Sequence, residues 1–242
     1  MEFAKGRITE ISFESKELHE TIPILIYLPA SFSPLYKYTL VIAQDGRDYF
    51  QLGRIGRTTE ELLKNGEIEN IIVVGIPYHD VKDRRKKYHP NGEQNEAYIR
   101  FLARELVPFL DEQFPTYQMG QGRALIGDSL AATVSLRAAL KFPHTFGKVM
   151  LQSPYVNEKV LEEVTNFDQP HLLSIYHIIG KQETEVKTTA DKIEDFLTPN
   201  RDLNVVIESK AFPYFYEEFE GSHTWTYWQP DLKRALKLML PT

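Results

Sequence analysis

A serine, a carboxylate and a histidine carry the chemistry this sequence can do, and the serine is the most clearly marked. Residues 124–131 read Ala-Leu-Ile-Gly-Asp-Ser-Leu-Ala. An apolar strand runs into Gly127, turns through Asp128, Ser129 and Leu130, and continues into a stretch rich in small residues (Ala131, Ala132, Ala138, Ala139). That is the pattern of a nucleophile elbow, G-x-S-x-G, with alanine in the last position. Such a turn holds the Ser129 hydroxyl clear of the backbone at the positive end of a helix. The residues two before and two after the serine pack against each other and must be small; Ala131 adds one methyl.

A serine hydroxyl is a weak nucleophile at neutral pH, so it needs a base, and the base needs an orienting partner. Of the 7 histidines, His223 lies in Gly221-Ser222-His223-Thr224-Trp225, just before the last expected helix, with Trp225, Tyr227 and Trp228 to pack around it. His79 and His89 stand in reserve, while His19, His144, His171 and His177 read as structural or exposed. The acid is assigned to Glu183, in Gly180-Lys181-Gln182-Glu183, with Glu185 and Glu220 open as alternatives. Its role is to fix the imidazole tautomer and stabilise the imidazolium. A tetrahedral oxyanion also needs preorganised donors. The backbone N–H of Leu130 is one; that of Arg47, in the turn Gln44-Asp45-Gly46-Arg47, is the other.

The elements that must position these groups follow from hydrophobic spacing. Segments 8–13 and 21–28 alternate as an antiparallel pair. Segments 38–43, 71–76, 123–126, 148–152, 172–179 and 204–209 are continuous apolar runs, the signature of strands buried on both faces. Helical spacing occupies 98–114, 130–142, 157–164, 188–197 and 232–240, and 77–96 reads as a long irregular stretch of the kind that shapes a binding site. Strand–helix alternation after a leading antiparallel pair predicts a three-layer α/β/α sandwich with a mostly parallel central sheet. Ligands of such sheets sit at the carboxyl ends of the strands, where Ser129, Glu183 and His223 all fall.

With 242 residues, 42% hydrophobic and 26% charged, the composition is that of a globular protein. Nothing marks a boundary, so a single domain over 1–242 is expected. A net charge of -6 argues against nucleic-acid binding, and the basic run 82–87 includes Asp83 and reads as a solvated loop. Without cysteine there is no disulfide, thiol nucleophile or cysteine-held metal. The N-terminus lacks the features of a signal peptide and no apolar run spans a bilayer, which predicts a cytoplasmic enzyme with no membrane partner. The proposed chemistry requires no metal and no organic cofactor. The string Gly-Asp-Ser-Leu also names another serine-hydrolase family, in which the motif lies near the N-terminus and the histidine follows an aspartate by three. Here it begins at residue 127 and the matching position holds Glu220, so placement decides against that family.

With these residues laid out, the chain resembles the putative-esterase family of α/β-hydrolases, which includes esterase D-like enzymes, the antigen 85 fold and enterochelin-esterase-like siderophore hydrolases. The resemblance runs from about residue 24 to the C-terminus. It rests on Gln44-Asp45-Gly46, Val74-Gly75-Ile76, Arg84 with Tyr88-His89-Pro90, the segment Phe-Leu-Ala-Arg-Glu-Leu-Val-Pro at 101–108, the elbow, and Gly221 to Trp225. It implies an α/β-hydrolase fold and hydrolysis of a small-molecule ester through an acyl-serine intermediate. Ser129 is then the nucleophile, His223 the base and 45–47 the oxyanion loop, in the chain order serine, acid, histidine. In the siderophore branch the third member varies, so a Ser129–His223 pair alone stays open. So does a trilactone siderophore as substrate, with Arg47, Arg84, Arg85 and Lys86 as its candidate cations. A non-catalytic binding protein on the same fold is the remaining reading.

Overall fold

Strands that are apolar at every position must be covered on both faces, and in the computed structural model, which describes residues 6–242, neighbouring residues of one strand enter different cores. In β3 (Thr39–Gln44), Leu40 and Ile42 join one cluster while Val41 and Ala43 join the other. Before it come β1 (Arg7–Ser15) and β2 (Glu20–Leu28), paired antiparallel. After it come β4 (Ile71–Ile76), β5 (Arg123–Asp128), β6 (Lys148–Gln152) and β7 (Ser174–Gly180). The short strands β8 (Val186–Lys187) and β9 (Ile193–Glu194) form a separate hairpin. The last strand of the main sheet is β10 (Tyr214–Phe219). The sheet order is β1-β2-β4-β3-β5-β6-β7-β10. It is antiparallel as far as the β2–β4 pair and parallel from β4 onward.

Helices cover both faces. On one side lie α1 (Gly46–Gln51), α2 (Ile55–Lys64) and α9 (Trp225–Met239), which insert Tyr49, Ile55, Leu62, Trp228 and Leu232. The other side takes α3 (Val81–Tyr88), α4 (Asn95–Phe101), α5 (Val107–Gln113), α6 (Leu130–Lys141), α7 (Glu158–Thr165) and α8 (Leu197–Glu208). Between α4 and α5 the chain widens into a π-turn just before Pro108, which has no N–H for a regular helical bond. The result is the expected three-layer α/β/α sandwich.

Three local expectations fail. Segment 204–209 is not a strand: Asn204 to Glu208 close α8, with Leu203 and Ile207 buried four residues apart and Val205 exposed. Packing on a helical face overrides the β-propensity of Val-Val-Ile, and the outer strand is β10 instead, its six positions all half-buried. Segment 188–197 is not a helix but mostly the β8–β9 hairpin and its turn. The supposedly irregular stretch 77–96 contains α3, which its sequence Val-Lys-Asp-Arg-Arg-Lys-Lys-Tyr hides because almost nothing in it is apolar. That helix is fixed at its start: Asp80 accepts from the Asp83 N–H at 2.8 Å, and Asp83 accepts from the His79 N–H at 3.0 Å.

A buried histidine in β7 links this fold to pH. His177 is fully buried, with Nδ1 2.8 Å from the Tyr214 hydroxyl and Nε2 2.7 Å from the Asn200 Oδ1. Burial pulls its pKa down to about 4, against a weaker upward pull from Asn200. The unfolded chain takes up this proton near the ordinary value of about 6.5 while the folded chain refuses it. Stability from this group is therefore complete above about pH 6.5 and declines as the pH falls toward 4, by about 3 kcal/mol in all. In His177→Gln that share of the decline disappears. Urea unfolding of both proteins from about pH 7.5 to about 4 measures it, and parallel stability curves would refute it.

Candidate active site

Ser129 follows β5 in a conformation that residues with a Cβ avoid, φ 53° and ψ -126°. Its amide donates to the Gln152 carbonyl at 2.9 Å, and its own carbonyl accepts from the Thr133 and Tyr155 amides at 3.1 and 3.3 Å. The turn is thus pinned to β6, to α6 and to the segment after β6. The turn also brings Gly127 against the helix: a Cβ there would lie 2.3 Å from the Ala131 carbonyl carbon. Small residues are required on both sides of the serine, and the extra methyl of Ala131 is accommodated. Ser129 is the N-cap residue of α6, yet its side chain makes no capping bond. The hydroxyl is left to other partners.

Glu183 and His223 arrive from separate strand ends and meet. Glu183, after β7, is fully buried and accepts three hydrogen bonds: from the Ser153 hydroxyl at 2.7 Å and the Gly180 amide at 2.9 Å, both on Oε1, and from His223 Nδ1 at 2.6 Å on Oε2. With Nδ1–H donating to Glu183 Oε2, Nε2 is the nitrogen free to accept. The approach depends on Gly180, where a Cβ would stand 2.4 Å from the Gly221 carbonyl oxygen. The imidazole is walled by Phe196 at a centroid distance of 4.5 Å and by Trp228 at 4.8 Å, edge to face. Glu185 is exposed, and Glu220 pairs with Lys181 at 2.6 Å, so neither alternative acid reaches the ring.

Ser129, Leu130 and His223 line one cleft of about 80 Å³, with Arg84, Arg85, Tyr155, Phe196 and the β8–β9 hairpin (Val186 to Thr189, Glu194). Arg47 is not among these lining residues. It occupies the first turn of α1, its guanidinium pairs with Glu10 at 3.2 Å, and it lines a different cavity. Its backbone N–H belongs to the first turn, whose amides have no partner within the helix. The reserve histidines do not line this cleft: His79 is exposed beside Asp80, and His89 packs on Tyr155 at 5.2 Å. Burial and nearby cations hold His89 at about 4, so it is neutral at physiological pH. Among the described residues no cluster of three or more His, Asp or Glu could hold a metal ion, and no helix is long and apolar enough to cross a membrane.

A family profile described as "Putative esterase" matches residues 15–239. The chain is similar to the uncharacterized protein YjcH of Bacillus subtilis (strain 168), 56% identical over 97% of this chain and 98% of that protein. It is also similar to an acetyl esterase of Caldicellulosiruptor saccharolyticus, 23% identical over 96% of this chain and 97% of that one. Among solved structures the enterobactin esterase FES from Shigella flexneri superposes with a TM-score of 0.82 at 18% identity, over 96% of this chain and 58% of that chain. At that identity the likeness is one of fold.

Sequence reasoning overlooked Ser153, which follows β6 with φ 50°. Its hydroxyl donates to Glu183 and accepts from the Trp228 indole N–H at 3.0 Å, joining the acid to the wall of the histidine. The only local signal is its place at the carboxyl end of a buried strand. In Ser153→Ala the buried indole N–H loses its partner and Glu183 Oε1 keeps only the Gly180 amide, at a cost of about 1–3 kcal/mol. Denaturant unfolding checks this; a variant as stable as the wild type would show that the two groups find other partners.

Proposed function

The chain belongs to the putative esterase family and is an ester hydrolase, and on that premise we propose that it cleaves carboxylic esters through an acyl intermediate on Ser129. One observation carries this reading: a serine on a strained turn shares a small cleft with a histidine whose far nitrogen is held by a fully buried carboxylate. His223 Nε2 takes the proton as Ser129 Oγ adds to the ester carbonyl. The N–H groups of Leu130 and Arg47 receive the oxyanion, and His223 then hands the proton to the departing alcohol. Water repeats the sequence, releasing the acid and restoring the serine. Glu183 holds the ring in one tautomer and stabilises the imidazolium.

The cleft also bears on the substrate. Its apolar lining is Leu130, Tyr155, Val186 and Phe196, and its small volume, about 80 Å³, favours a short acyl group. The acetyl esterase among the relatives is named for a substrate of that size, and we extend that preference to this chain. A trilactone siderophore would call on cations beside the serine. Of the four on offer, Arg47 is paired with Glu10, Arg84 with Asp45 and Lys86 with Glu93, which leaves Arg85. The short-acyl reading is therefore the stronger one.

Ser129→Ala is expected to lower p-nitrophenyl acetate turnover by at least about 10³-fold without moving the unfolding midpoint. Wild-type turnover in that variant ends the serine reading. A fluorophosphonate probe should label the folded wild type at Ser129, and absence of the adduct would favour a binding protein. Across p-nitrophenyl esters, kcat/KM should fall by at least roughly tenfold from the acetyl to the octanoyl ester. Val186→Ala should narrow that gap, and equal rates along the series would contradict the size argument.

A further inference from the structure

Arg84 lies on α3, outside every element that supplies the nucleophile, base or acid, and it is 8% exposed. Its Nε is 3.0 and 2.8 Å from the two carboxylate oxygens of Asp45, and its Nη2 is 2.6 Å from Asp45 Oδ2. The same Nη2 points at the Asp128 backbone carbonyl at 3.4 Å. Asp45 immediately precedes Gly46-Arg47, and Asp128 immediately precedes Ser129-Leu130. One guanidinium therefore joins the two peptide turns that hold the proposed oxyanion donors.

From this geometry we infer that Arg84 is a positioning residue for the reaction, which sets the separation and aim of the Arg47 and Leu130 N–H groups. The inference rests on the reading of Ser129 and those two donors given above. Asp45 is itself in the left-handed region, φ 55° and ψ 42°, without a capping bond from its side chain to α1. Its amide donates to the Tyr88 hydroxyl at 3.3 Å. The turn is thus held from outside, by Arg84 on the carboxylate and Tyr88 on the amide, both on α3. Tyr78 and Tyr88 flank the guanidinium at 5.8 and 5.7 Å from their ring centroids and fix its plane.

The surrounding charges explain why a forked cation is needed. Burial drives the Asp45 pKa upward, and Arg84 is the main opposing influence. Asp128 is buried too, its Oδ1 has no hydrogen-bond partner among the described residues, and burial followed by the nearby Asp45 pushes its pKa well up. Asp48 adds a further negative charge to both, and the Tyr78 hydroxyl donates to it at 3.3 Å. Arg84 is the cation bonded in the middle of this acidic group. A buried ion pair adds little net stability compared with an apolar replacement, whereas a planar fork fixes two partners in direction as well as distance. A lysine supplies charge without that geometry.

The test compares wild type, Ser129→Ala, Arg84→Lys and the uncharged pair Asp45→Asn/Arg84→Met. The readouts are kcat and KM for p-nitrophenyl acetate, inhibition by a trifluoromethyl ketone whose serine adduct places an oxyanion among the same donors, and the thermal unfolding midpoint. The double variant should unfold near the wild-type temperature while kcat falls by roughly 10²-fold, as for loss of an oxyanion donor. KM should change little, and the ketone should weaken by the same factor as kcat. Wild-type kcat in a folded double variant overturns the inference, because the pair would then be structural only. If the double variant fails to fold, Arg84→Lys decides: a fall in kcat at constant KM supports positioning, and an unchanged kcat refutes it. An active Ser129→Ala would instead overturn the serine reading and this inference together.

Discussion

The backbone at Ser129 is the constraint around which this molecule is arranged, because a residue with a Cβ is held there at φ 53° and ψ -126°. Strain of this kind costs about 1–3 kcal/mol and persists only where the surroundings over-determine it. Here they do. The amide and carbonyl of Ser129 are engaged by β6, α6 and the Tyr155 amide, and the Thr133 hydroxyl adds a further bond to the carbonyl at 3.1 Å. The same turn forces α6 down onto β5, which is why Ala131, Ala132, Ala138 and Ala139 are all fully buried. Larger residues at the first of these would lift the helix and relax the turn.

The far end of α6 is fastened by charge. Arg137, almost fully buried, donates to the Glu163 carboxylate at 2.6 and 2.5 Å, to Glu96 at 3.1 Å and to the Pro90 carbonyl at 3.3 Å, and it also bonds Asn95. One side chain thereby joins α6 to α7 and to the segment that links α3 with α4. α3 in turn carries Arg84 to Asp45 in the turn after β3. A connection runs from the back of α6 to the turn after β3, through polar groups that a low-dielectric interior makes directional and expensive to leave unpaired. On the opposite side of the serine, Ser153 and Trp228 do the same for Glu183 and His223.

Much of the architecture was legible in one dimension because burial on both faces leaves no polar positions in a strand. That is why the expected bounds of β4 and β6 coincide with the observed ones. Legibility failed where local preference and tertiary packing disagree. Val205, Val206 and Ile207 favour extended backbone, yet Ile207 and Leu203 bury a helical face. In α3 the lysines and arginines carry no apolar rhythm, so the helix is encoded by Asp80 and Asp83 at its start, signals that hydrophobic spacing ignores. The hairpin at 186–194 is too short to show a period of its own.

By itself, the sequence determined the strand–turn–helix at Ser129, since only small residues at 127 and 131 permit that turn, and it determined that the candidate groups lie at strand ends. Which carboxylate faces His223 was decided by the tertiary structure alone. Glu183, Glu185 and Glu220 are equivalent as letters, but one is buried where Gly180 lets the Gly221 backbone come close, and the others point to solvent or to Lys181. The bonds from Arg84 to Asp45 and to the Asp128 carbonyl are of the same kind. They span 39 and 44 residues, and contacts at such separations depend on how sheet and helices pack, which no local pattern records.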